Sequence, residues 1–134
     1  MRLGAWGWSL AVCTVLMWGG ALLMPGSAFA VSLSDGLKNY YAEFEIVIEC
    51  EAQERLSTED ADAAEAAIDK IEDYYLKRDS SINTESLQKR AVADKDEGFR
   101  IMARSGGGLR PFCRQSLRDL LNKAEEVETA ASEQ

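Results

Sequence analysis

Leu37, Tyr41, Phe44 and Ile48 recur at spacings of four, three and four residues, which places them on one face of an α-helix. Ser34 followed by Asp35 supplies a start for this helix, Tyr40 and Val47 widen its stripe, and Cys50 falls near its far end. Ser57 with Asp60 three residues on has the form of a capping box, and Glu59, Asp60 and Asp62 put negative charge where a helix dipole favours it. A second helix is expected from there to about Leu76, with Ala61, Ala64, Ile68, Ile71 and Tyr75 forming a bundle seam. Asp79-Ser80-Ser81-Ile82-Asn83 then reads as a turn. A third helix from about Thr84 carries only a broken stripe, Leu87, Ala91, Phe99 and Met102 with Ile101, and Gly98 lowers its propensity. Ser105-Gly106-Gly107-Gly108 is a flexible connection, and Pro111 sits where a helix tolerates proline, in its first turn. Cys113, Leu117, Leu120, Ala124 and Val127 form the seam of a fourth helix.

No segment alternates with period two, so the chain is expected to be all-α. Short connections make antiparallel neighbours the default and predict an up-down-up-down four-helix bundle. In such a bundle the end of the first helix and the start of the fourth meet at one pole, which is where Cys50 and Cys113 fall. A bridge between them would stabilise the fold by about 3–4 kcal/mol. The alternative is a pair of buried free thiols.

Compartment decides between those alternatives. Arg2, an apolar core from Leu10 to Leu23, the break at Met24-Pro25-Gly26 and the small residues of Ala28-Phe29-Ala30 make residues 1–30 a signal peptide cleaved before Val31. An uncleaved anchor is the competing reading, because the apolar run including Ala5 to Trp8 is nearly long enough to span a bilayer, but no stop-transfer charge follows it. Position 31 is Val, which closes the lipid-anchored route of bacterial lipoproteins. Residues 31–134 then form one domain in an oxidising compartment, and Cys13 leaves with the leader.

The full chain carries a net charge of −8, and removal of Arg2 with the leader takes it to −9, which makes nucleic acid an unsuitable partner. There is no histidine, so the commonest general base and metal ligand is missing. The acids Asp62, Glu65, Asp69 and Asp73 follow helical spacing as a solvent face, and no calcium loop, serine–base pair or phosphate-binding glycine motif is recognisable. A non-enzymatic protein without cofactor or metal is expected. The charge is uneven: residues 31–79 hold fourteen acids and five bases, whereas residues 80–120 hold five acids and eight bases. Arg110, Arg114 and Arg118 recur every four residues down the start of the fourth helix, with Arg104 just across the glycine loop. Together with Pro111 they form the candidate partner-binding surface; the alternative is that they pair with the acidic second helix or only keep the pole soluble.

Several of these residues match a known family in order and spacing. Tyr40, Glu43, Val47 and Ile48 reproduce an opening pattern of Tyr, an acid three residues on, and Val-Ile at seven and eight. Tyr75-Leu76-Lys77-Arg78-Asp79 followed by Ser80-Ser81-Ile82 is similar to a Tyr-Arg-Arg-Asp segment ending the second helix, Arg110-Pro111 to the pair that opens the fourth, and Val127-Glu128 falls at the matching distance from that proline. Residues 31–134 thereby resemble the small luminal photosystem II assembly and repair factors, the Psb twenty-seven family of cyanobacteria and plastids, as a divergent member with Val31 in place of a lipobox cysteine and a cysteine pair of its own. The resemblance implies a monomeric factor, peripheral to the thylakoid membrane on the luminal side. It would bind immature or damaged photosystem II, mainly through the inner antenna chlorophyll protein, during assembly of the manganese cluster. The leader has no upstream transit peptide rich in Ser and Arg, which fits a cyanobacterial lumen. Two other classes remain: a small acidic stress chaperone of the bacterial periplasm, and a periplasmic inhibitor or immunity protein.

Overall fold

A computed structural model describes residues 31–133, which belong to one compact unit, Val31–Gln134; the signal peptide expected at residues 1–30 lies outside the described residues. Four helices follow one another: α1 Leu33–Ala52, α2 Thr58–Arg78, α3 Thr84–Ser105 and α4 Leu109–Ser132. There is no strand among the described residues. Caps fix most boundaries. Ser32, two residues before the expected Ser34, caps α1 by accepting from the Asp35 N–H. Both halves of the Ser57–Asp60 capping box are present at α2, and the Asn83 side chain accepts from the Ser86 N–H at α3. Each such cap is worth about 1 kcal/mol. α3 ends at Gly106, whose φ of 67° lies in the left-handed region that glycine enters without steric cost.

The helices alternate in direction. Tyr41 meets Glu72 and Gly36 meets Tyr75, so α1 and α2 are antiparallel. Asp35 pairs with Arg90 and Glu49 with Lys95, so α1 and α3 run together. Cys50 and Cys113 are bridged, with Cα atoms 5.9 Å apart, at the pole where α1 ends and α4 begins. Both cysteines are fully buried. The fold is thus an all-α four-helix bundle with the expected disulfide.

The lateral arrangement departs from expectation. Consecutive helices should all be neighbours, yet no Cα atom of α2 comes within 8 Å of one of α3; α1 lies between them and packs against all three other helices. The reason is how much apolar surface each helix offers. α2 has a single stripe, Ala64, Ala67, Ile68, Ile71 and Tyr75, which α1 and α4 cover, and acids occupy its outer face. α1 buries more than one side: Leu37 and Ile46 are nine residues apart, on opposite faces at 100° per residue, and both are in the core. α3 takes the Ile46 side. Ile48, expected in the core, is instead 38% exposed, although it lies on the same face of α1 as the buried Leu37. Phe44 and Leu117 are half-buried against the core, while Leu37, Tyr41, Ala64, Ile68, Ile71, Tyr75, Leu120 and Ala124 are buried as expected.

Candidate functional site

Arg104 occupies the last turn of α3, and Arg110 and Pro111 the first turn of α4, followed by Arg114 and Arg118. All five are exposed. The turn that joins the two helices carries no side chain beyond glycine from Gly106 to Gly108, so nothing screens the arginines on either side of it. Among the described residues none of the four arginines forms an ion pair, although Lys38, Lys70, Lys77, Lys89, Arg90, Lys95, Arg100 and Lys123 all do. The pairing with the acidic second helix that sequence alone left open is therefore not made. On that helix Asp62, Glu65, Asp69 and Asp73 are exposed, and Asp73 pairs with Lys77 on its own turn. The start of α4 adds to the positive potential. Gly108 provides no side-chain cap and the first turn holds no acid, so the free backbone N–H groups and the positive end of the helix dipole stand beside Arg110 and Arg114.

A second feature lies on the α1–α4 face. A cleft of about 530 Å³ is lined by Gly36, Tyr40 and Glu43 of α1, Tyr75 of α2, and Asp119, Lys123 and Glu126 of α4 among others. Burial pushes the Glu43 carboxyl above the usual range, the negative charge of Asp119 pushes it the same way, and the Ser116 hydroxyl opposes them. The Lys123 ammonium lies 5.9 Å from the ring centres of Tyr40 and Tyr74, within cation–π range, and 2.7 Å from Glu126. Burial alone would lower its pKa; the hydrogen bond to Glu126 and charge interactions with Tyr40, Tyr75 and Glu126 outweigh it, and the pKa is raised. Sequence periodicity does not reveal this cleft, because Glu43 and Asp119 come from helices far apart in the chain. The one available signal was the Tyr40–Glu43 spacing, which the family resemblance had already singled out.

Among the described residues no group of three or more His, Cys, Asp or Glu side chains is placed to hold a metal ion. Among them, too, no helix is long and apolar enough to cross a membrane. Compared with known protein families, with curated proteins and with solved structures, the chain matches none.

Proposed function

We propose that this protein is an exported, non-enzymatic assembly and repair factor that binds immature photosystem II on the luminal side of the thylakoid membrane. It attaches there as a peripheral monomer, mainly to the inner antenna chlorophyll protein, while the manganese cluster is assembled. The observation that carries this reading is the ordered set of matching segments and where they fall in the bundle. Tyr40, Glu43, Val47 and Ile48 lie on α1, Tyr75 to Ile82 close α2 and its turn, Arg110-Pro111 open α4, and Val127-Glu128 lie near its end. Tyr40 and Glu43 additionally line the α1–α4 cleft. A disulfide is compatible with an oxidising compartment reached by export.

The unpaired stripe of Arg104, Arg110, Arg114 and Arg118 is the docking surface in this reading. On a protein of net charge −8, these free cations favour an acidic partner surface and speed encounter with it. The deciding experiment is recovery of a tagged copy from its native membranes. Photosystem II subunits, the inner antenna protein foremost, should accompany it. Recovery of a broad set of misfolded periplasmic proteins instead would replace this function with that of a chaperone.

A further inference from the structure

α3 is attached differently from the other helices. α1, α2 and α4 each bury five residues, whereas α3 buries two, Leu87 and Ala91. It packs mainly on α1, meets α4 along a short stretch where Phe99 and Phe112 stand edge to face at 5.5 Å, and has no Cα atom within 8 Å of α2. The disulfide joins α1 to α4 and bypasses α3. The contact of α3 with α1 is the most extensive of any helix pair, and three ion pairs run along it: Lys38 to Asp94 at 2.6 Å, Asp35 to Arg90 at 3.5 Å and Glu49 to Lys95 at 3.7 Å. Every one has a partner at least two-fifths exposed, so each contributes little and is screened by salt. At one end α3 is tethered by a three-glycine turn.

We propose that α3 is a releasable cover. It opens as one unit while α1, α2 and α4 stay packed, and the α1 flank it vacates receives an amphipathic helix from a partner. That flank runs along Asp35, Lys38, Ala42, Ile46 and Glu49, which share a face at spacings of three, four, four and three. Ile46 is buried and Ala42 packs against the core, so the flank is a narrow apolar strip with Asp35 and Lys38 at one end and Glu49 at the other. Its complement is a helix with a small apolar stripe, bases opposite Asp35 and Glu49 and an acid opposite Lys38, which is what α3 itself presents through Leu87, Ala91, Arg90, Asp94 and Lys95. Cooperative opening of a weakly buried element while the rest of a domain stays folded is the ordinary form of local unfolding.

Hydrogen exchange on the intact protein tests the release. Amides of α3 from Leu87 to Arg104 should exchange as a group, at least tenfold faster than those around Leu120 in α4, and the gap should widen as salt is raised. Equal protection in the two helices would overturn the proposal. Leu87→Asp tests the reception: it should strip protection from α3 alone and let a labelled synthetic peptide of Thr84–Ser105 bind at least tenfold more tightly than it binds the parent, with a scrambled peptide inactive. Unfolding of the whole variant, or peptide binding no tighter than to the parent, would also overturn it. Photosystem II enters neither measurement, so the outcome is separate from that of the capture experiment.

Discussion

The Tyr41 hydroxyl donates to Oε2 of Glu72 at 2.6 Å, joining the central helix to α2. Burial, and then the Glu72 carboxylate, push the phenol's pKa far above its ordinary value. A raised folded pKa gives stability that is complete below the unfolded value near 10 and is lost as pH rises above it. Tyr41→Phe should therefore cost about 1–2 kcal/mol at neutral pH in denaturant unfolding. In an alkaline absorbance titration it should also remove the last phenol to ionise.

Ile46 and Ile48 separate a bundle built around α1 from one with helices in simple sequence order. Ile46→Ala should cost about 2–4 kcal/mol, as buried aliphatic truncations do, and Ile48→Ala less than about 1 kcal/mol, as exposed substitutions do. Leu120→Ala, at a fully buried position, should fall in the same range as Ile46→Ala or above it. Chemical denaturation of the three variants would decide the matter, and a reversed order for the two isoleucines would mean α3 packs elsewhere.

The helices and the disulfide were legible in the sequence because each is fixed locally or by a simple count. Apolar spacing marks a helix, Ser57 with Asp60 marks its start, and four short-looped helices put Cys50 and Cys113 at one pole. Which helices touch was not legible. Periodicity along Leu37, Tyr41, Phe44 and Ile48 identifies an apolar face but not what covers it, and Ile46 reads as polar-side until α3 is known to lie there. The arginine stripe could be named from its four-residue spacing. That its members lack partners could not, since freedom from ion pairs depends on where every carboxylate of α1 and α2 ends up.

Glu43 predicts the response to acid. Its folded pKa is raised by burial and by Asp119, so the folded state holds this proton more tightly than the unfolded chain. The stability linked to it is fully present below the unfolded pKa near 4.3 and falls as pH rises through the folded value. Glu43→Gln should accordingly raise the melting temperature at pH 7 and leave it nearly unchanged at pH 4. A variant less stable than the parent at pH 7 would show that the carboxylate, not the neutral acid, is the form the cleft favours.

Arg114→Glu with Arg118→Glu tests the stripe. Because both side chains are exposed and unpaired, the double variant should keep the parent's melting temperature to within about 2 °C. In the proposed role, capture of photosystem II should weaken severalfold at low ionic strength, with the defect shrinking as salt rises. Undiminished capture by the folded double variant would remove the stripe as the docking site.

The polypeptide is synthesised from its amino end, so α1, against which all three other helices pack, is made before any of them. During synthesis α1 waits with its opposite apolar faces, marked by Leu37 and Ile46, uncovered, until α2, α3 and finally α4 arrive to cover them. The Cys50 thiol waits as well, since its partner lies in the last helix. This architecture therefore matures only after the whole chain has been delivered, and it leaves an early window in which a chaperone or a wrong thiol has access to α1.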